Sequence, residues 1–411
     1  MSGPAPALPP AAPRTSLARY GALSACYFAA IGLFNPYAPL WFQSLGLSTL
    51  AIGAIASLQS WTRVFAPYAW SWAGDHGGRR TELIRLAAFG SLLSALALLW
   101  LPHGWAAAAT GVGVMVAALT TLLFAANSGV VPLYETLLSQ ALHTQQGLDV
   151  RRYGRVRVWG SVGFLIAVLS FGALLERVGI AVFPVFVALM NALLLLAALR
   201  LPATQAAAVH SEPAPSVLPT LRRPEVAWFY ASVFFTVLAH TSLYAFFSLY
   251  LVSLGYGKGA VGALWAVSVV VEIGVFWTQG HWFGRLSPHR WLMVVAAVTA
   301  LRFAATAGGA AWLPILVLAQ ALHAVTFAAH HAACIALVHR LFTDRLRGRG
   351  QALYTALGYG LPGVLGGIGG GWLISHLGYS AAFWAAAVCG VLAGGCAWVS
   401  ESRQAADAQR A

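Results

Sequence analysis

The 411-residue sequence predicts an all-α integral membrane protein: twelve transmembrane helices in two parallel-related six-helix bundles. Three observations carry that expectation. Hydrophobic residues make up 59% of the chain and charged ones only 9%, whereas soluble domains carry about 25% charged residues. Apolar runs recur throughout, each near the ~20 residues a helix needs to cross a ~30 Å hydrocarbon layer. Gly and Pro are dispersed within them, while barrel strands would be short and strictly alternating. Finally, a segment of the first half recurs in the second at a constant spacing: PYAPLWFQSLGLSTLAIGA (36–54) aligns with AFFSLYLVSLGYGKGAVGA (245–263), pairing Leu40 with Leu249, Ser44 with Ser253, Gly46 with Gly255 and Gly53 with Gly262.

Taken in order, residues 1–17 lack the compact charged and apolar regions of a signal peptide and read as a disordered cytoplasmic tail. The helix that starts near Leu17 then acts as an uncleaved anchor. Apolar spans follow at 18–42, 48–73, 82–102, 105–141, 156–176 and 179–200, and again at 226–254, 259–283, 290–308, 311–341, 351–376 and 378–400. The fourth and tenth are over-long, which predicts tilt or projection beyond the bilayer. The connection 201–225, rich in Ala and Pro, reads as a flexible cytoplasmic linker between an 18–200 bundle and a 226–400 bundle. Residues 401–411 form a second cytoplasmic tail. An even number of helices per half gives both repeats the same orientation, and such halves hold their substrate site between them near the midplane.

Charge sets the orientation. With a cytoplasmic N-terminus, nineteen of the 24 Lys and Arg fall on inside segments, among them Arg79, Arg80, Arg85, Arg151, Arg152, Arg155, Arg222, Arg223, Arg345, Arg347 and Arg349. The outside segments hold only Arg177 and Lys258. Basic cytoplasmic loops are the usual rule, so both termini are expected inside and the net charge of +13 calls for no nucleic-acid partner. Cys26, Cys334, Cys389 and Cys396 all lie in apolar runs without CxxC or CxxH spacing. They read as small packing residues, with neither disulfide nor metal.

After the second span comes Ser71-Trp-Ala-Gly-Asp75-His-Gly-Gly78-Arg79-Arg80. It resembles the loop motif of the major facilitator superfamily, G-x-x-x-D-R/K-x-G-R-R/K, with Ser71 and His76 as departures. The resemblance assigns Asp75, Gly78, Arg79 and Arg80 to gating. The second-half counterpart, Gly280 to Arg290, has Gly284 in place of the Asp.

Five ionisable residues lie inside predicted spans: Arg63, Glu135, Arg157, Glu272 and Arg302. A charge at the bilayer centre costs about 2.5–3.5 kcal/mol on insertion scales, so the set is expected to face a polar cavity. Asn127-Ser-Gly-Val-Val-Pro132 leads to Glu135, and Tyr153-Gly-Arg-Val-Arg157-Val-Trp-Gly-Ser-Val-Gly-Phe164 follows. Here the chain resembles the lactose permease branch, and more closely its phenylpropionate permease-like members. That resemblance implies a substrate-binding set of Glu135 and Arg157, with Phe164 where the permease stacks an aromatic ring; Asn127 and Arg63 join it by position. It also implies a proton-coupling set of Glu272, Arg302 and His323. The carboxylate that follows the His in that branch is absent, since Val325 and Thr326 stand there. His323, Phe327 and His330 share a helical face at i, i+4 and i+7, which adds His330; Gln59 and Arg63 do so at i, i+4. The Pro36–Pro39 pair and the glycines around Pro362 suit close packing or bending.

No nucleophile–base set, phosphate loop or metal cluster appears, so the expectation is a transporter without cofactor and not an enzyme. Three membrane arginines against two glutamates leave one surplus positive charge, which a substrate carboxylate would balance. The sequence therefore predicts a proton-coupled symporter importing a small organic solute, best an aromatic monocarboxylate of phenylpropionate type. It is expected to be monomeric in the bacterial inner membrane, its partners being substrate, protons and lipid. A sugar or nucleoside symporter, or a proton-driven exporter of the same fold, is the alternative.

Overall fold

The computed structural model describes residues 14–101, 109–144, 147–203, 216–342 and 346–410. Residues 1–13 of the predicted first tail, 204–215 of the predicted linker, and Arg345 lie outside the described residues.

Among the described residues the chain forms twelve helical rods. The first six are α1 (Arg14–Ser44), α2 (Thr49–Gly77), α3 (Arg80–Leu99), α4 (Ala109–Asn127, continuing as Val130–Ala141), α5 (Val150–Val178) and α6 (Phe183–Leu199). The second six are α7 (Pro224–Ser253), α8 (Lys258–Trp282), α9 (Pro288–Gly309), α10 (Leu313–Ala321 and His330–Leu341), α11 (Arg347–Leu353 and Leu361–Leu377) and α12 (Tyr379–Arg410). A two-residue hairpin, His143–Thr144 against Gly147–Leu148, joins α4 to α5. The first helix thus starts inside the predicted tail, and the last runs on across most of residues 401–411.

Among the described residues, ten stretches are long and apolar enough to cross a membrane. The two rods that fall short are α2 and α11. The reason is visible in their packing, because they face each other across the halves and are built of small and polar residues. A Cβ on Gly53 would lie 2.1 Å from the Gly367 carbonyl oxygen, and one on Gly371 2.6 Å from that of Thr49. Ser57 donates to the Val364 carbonyl at 2.6 Å. Small residues let backbones touch, the usual device of membrane helix pairs.

The repeat holds in detail. Gly46 and Gly255 end α1 and α7 with φ of 81° and 89°, a region that favours glycine. Ser44 and Ser253 each close the preceding turn with a 2.7 Å bond to the carbonyl of Trp41 and Tyr250. Gly179 and Gly378 end the fifth rod of each half with φ of 86° and 82°.

The over-long fourth and tenth spans are broken rods. In α4 the break falls at Ser128 and Gly129, where a glycine Cβ would meet the Trp70 ring at 2.5 Å. In α10 a π-turn over Val325–Ala329 interrupts the helix, and a second one over Tyr354–Gly360 interrupts α11. Such turns insert a residue and recur at functional sites.

The halves also meet where α1, α5 and α8 converge. The Tyr37 hydroxyl donates to the Val168 carbonyl at 2.6 Å, and a Cβ on Gly262 would lie 2.5 Å from both groups. Farther out, the Glu176 carboxylate accepts the Lys258 amide at the start of α8. All these approaches lie toward the arginine-poor end, and the α2–α11 series runs only as far as Val64 against Gly360. Beyond it α2 exposes Phe65, Tyr68 and Trp72.

Candidate substrate and proton site

The break in α4 sets up the first half of the site. Trp70 Nε1 and Ser128 Oγ both bond the Ala125 carbonyl, at 2.9 and 2.7 Å, and Pro132 follows, so the chain turns just before Glu135. Asn127 is 3% exposed, and its Oδ1 has no partner. Arg157 Nε lies 3.2 Å from the Glu135 carboxylate, to which the Tyr153 hydroxyl also donates. The Arg157 guanidinium sits 4.4 Å from the centre of the Phe28 ring, a cation–π contact. Gly160 makes room for it: a Cβ there would lie 2.9 Å from Arg157 Nη1. A recess lined by Leu23, Ser24, Tyr27, Phe28, Val130, Val131 and Tyr134 opens beside Glu135. Phe164 sits two turns along α5, packed against α1, where the Gly32 Cβ position is 2.8 Å from its carbonyl oxygen.

Arg63 is exposed on α2, two residues from each of Trp61 and Phe65, whose rings stack 5.3 Å apart. Tyr27 lies in the field of both Arg63 and Arg157. Glu272, on α8 of the other half, lies in the field of Arg157. Charges of the two halves thus lie within electrostatic reach of each other at Arg157 and Glu272, whereas Asn127 is buried and Phe164 packs on α1. Among the described residues neither Arg63 nor Glu272 makes an ion pair.

The second half of the site is a buried polar layer between α7, α9 and α10. Arg302, wholly buried, donates from Nη1 to His323 Nδ1 at 2.8 Å and to Thr326 Oγ1 at 2.9 Å. His240 bonds the Thr236 carbonyl through Nδ1 at 2.7 Å, which leaves Nε2 beside Thr326 Oγ1 at 3.0 Å. A carbonyl only accepts, so Nδ1 carries a proton; the Thr326 hydroxyl also donates to the His323 carbonyl at 3.1 Å. His240 was not among the sequence candidates. The signal that marks it is a histidine in mid-span, the kind of residue a membrane helix rarely carries without a partner.

Two members of the predicted proton set have further partners. Arg302 is bonded to His323 and Thr326 with no ion pair to Glu272. His330 contacts Cys334 Sγ at 3.4 Å. A π-turn lies between positions 323 and 330; His323 stacks on Phe327 at 5.6 Å, and His330 stays within electrostatic reach of His240.

In the loop motif, Arg80 Nη2 bonds Asp75 at 2.7 Å, Arg80 being 2% exposed. Gly78 takes φ 63° to end α2, and Arg79 is exposed. All four stay within the first half. Arg85 next to them caps α6 by bonds to the carbonyls of Ala198, Leu199 and Leu201. The second half, lacking the Asp, draws on α12 instead: Ser287 donates to Glu401 at 3.0 Å.

Two curated relatives match over most of their length. One is a protein of Escherichia coli (strain K12) named "Probable 3-phenylpropionic acid transporter", 29% identical over 364 residues, 88% of this chain and 92% of the relative. The other is a maltose permease of Geobacillus stearothermophilus, 28% identical over 373 residues, 89% of each chain. Among solved structures, a mutant of the nucleoside transporter NupG superposes with a TM-score of 0.81 at 17% identity, covering 94% of this chain and 99% of that one. The description "MFS_1 like family" belongs to a family model that matches residues 19–385. The chain therefore belongs to the MFS_1 like family, as a multi-pass membrane transporter of small molecules with the major facilitator fold, and is not an enzyme.

Proposed function

We propose that the chain is a proton-coupled symporter that imports an aromatic monocarboxylate of phenylpropionate type across the bacterial inner membrane, acting as a monomer with both termini in the cytoplasm. The observation that carries this reading is the charge balance of the central space. Of the three membrane arginines only Arg157 has a carboxylate in ion-pairing distance among the described residues, at 3.2 Å. Arg63 and Arg302 have none, and the one remaining membrane carboxylate, Glu272, is likewise without an ion pair. An anionic substrate offsets one surplus positive charge, of which there is one with Glu272 ionised and two with it protonated, and the Phe28, Trp61 and Trp159 rings suit an aromatic body. The similarity to the Escherichia coli relative points the same way.

The packing supports an alternating-access cycle. The halves are joined at the arginine-poor end, which basic-loop asymmetry assigns to the periplasm, so this state opens toward the cytoplasm. Glu272 takes a proton from the periplasmic side, substrate binds between Arg157 and the second half, and the halves rock to expose both to the cytoplasm. A protonated carboxyl crosses neutral. The gating motif resets with the opposite closure, when Asp75 and Arg80 meet the other half.

A thermal-shift screen of the purified protein against aromatic acids, sugars and nucleosides tests the substrate class. Stabilisation by 3-phenylpropionate and not by maltose or uridine is expected. Stabilisation by maltose alone favours the second reading, a sugar symporter, which the maltose permease similarity keeps in view. A reporter fused within 216–220 tests the orientation and is expected to read cytoplasmic.

A further inference from the structure

We propose that the side-on edge of Arg302, its Nε and Nη2 groups, is the seat of the substrate's carboxylate; the assignment rests on the aromatic-acid reading above. The edge is unused. Arg302 is 0% exposed, yet its Nε and Nη2 have no hydrogen-bond partner, while Nη1 serves both His323 and Thr326. In a guanidinium the Nε and Nη2 hydrogens on that edge run parallel and grip a carboxylate by two bonds. A buried cation with no carboxylate beside it is costly: the Phe303 ring, 4.8 Å from the guanidinium carbon, and the two Nη1 bonds offset only part of its lost hydration.

The other two arginines have less need of an anion. Arg157 already holds Glu135 and lies over Phe28. Arg63 is exposed, so leaving it unpaired costs little. The layer around Arg302 is also short of partners elsewhere. Thr299 Oγ1, one turn away on α9, and both amide atoms of Gln320, one turn from His323 on α10, are buried and unbonded. Three unsatisfied side chains on two packed helices mark a polar layer that lacks an occupant.

Tyr244 stands at the way in. Its ring centre is 6.3 Å from those of both His240 and His323, it lies in the field of Arg302, and it is 37% exposed. Displacement of this ring opens the layer to the central space. A substrate whose carboxylate sits on Arg302 and whose ring rests by Phe28 touches both halves at once, which ties its binding to their closure.

The test compares 3-phenylpropionate with its neutral amide, 3-phenylpropionamide, by equilibrium binding to the purified full-length protein. Wild type is expected to prefer the acid. Arg302→Gln is expected to lose acid affinity by at least ~30-fold, the scale for removing one partner of a buried charge pair, with amide affinity kept within about threefold. Retained amide binding shows the variant is folded. Should Arg302→Gln not fold, Arg302→Lys serves: it keeps the charge and loses the two-pronged grip, so the acid preference is expected to fall at least ~fivefold. Wild-type protein that binds neither compound overturns the aromatic-acid reading and this assignment with it. Wild-type protein that prefers the acid, with variants that keep that preference, overturns the assignment alone.

Discussion

Arg157 and Glu135, on consecutive rods of the first half, hold guanidinium Nε and carboxylate 3.2 Å apart, with Tyr153 donating to the same carboxylate. The break at Gly129 and the absent side chain of Gly160 make that pairing possible, and both are local features of the sequence. Arg157→Ala is expected to lower substrate affinity by at least ~30-fold, and Arg157→Lys to restore little of it, because an ammonium neither forks to a carboxylate nor lies flat on Phe28. Equilibrium binding to the purified variants measures this. Wild-type affinity in a folded Arg157→Ala protein removes the pair from the site.

The close approach of α8 to α1 and α5 depends on Gly262, whose Cβ position is 2.5 Å from both the Tyr37 hydroxyl and the Val168 carbonyl. Backbone cannot yield as a flexible side chain can, so Gly262→Val forces the arginine-poor end apart. Net transport is expected to fall by about tenfold or more while equilibrium binding stays within about threefold. Uptake and binding assays on one preparation separate the two, and unimpaired transport contradicts the closure described here.

Asp75 is the sole ion partner of Arg80 among the described residues, and the Arg80 Nη1 is already buried without one. Removing one member of a pair strands the other. Because the Asp75 side chain is 52% exposed, the expected loss for Asp75→Asn is modest, about 1–2 kcal/mol. Thermal unfolding of the detergent-solubilised variant reads it as a lowered midpoint; an unchanged midpoint argues that the pair does not hold the α2–α3 turn.

Sequence alone went far toward the architecture, for physical reasons that differ along the chain. Apolar runs, the Gly46–Gly255 repeat and the basic loops are imposed by the bilayer on composition itself. The Glu135–Arg157 pair was legible through the lactose permease resemblance of the segments that carry it; the membrane cost of a charge marked five residues without saying which of them meet. The π-turn between His323 and His330 was not legible, because no residue between Val325 and Ala329 announces it. His240 carries no motif and no helical-face partner in the sequence, and its place in the layer depends on Thr326 coming from another helix. The low hydropathy of α2 and α11 acquires its explanation only once the two are seen packed glycine to glycine.

Glu272 is the carboxylate left without an ion pair in the central space, placed on α8 within the field of Arg157. Glu272→Gln mimics its protonated form. Binding and exchange of substrate are expected to persist, while accumulation against a gradient falls by about tenfold or more. Counterflow and active uptake, measured side by side in proteoliposomes, distinguish these. Continued uphill accumulation transfers the proton to Glu135 or His323.

The central claim, proton-coupled import of an aromatic acid, is tested most directly by loading proteoliposomes with alkaline buffer and diluting them into acidic buffer containing labelled 3-phenylpropionate. Some acid enters protein-free vesicles as the neutral species, so the quantity read is the protein-dependent rate and its electrical response. The account predicts protein-dependent accumulation in which proton and substrate enter together, abolished by a protonophore and lost in Arg157→Ala. Protein-dependent equilibration that ignores the proton gradient, or efflux driven by it, would contradict the account.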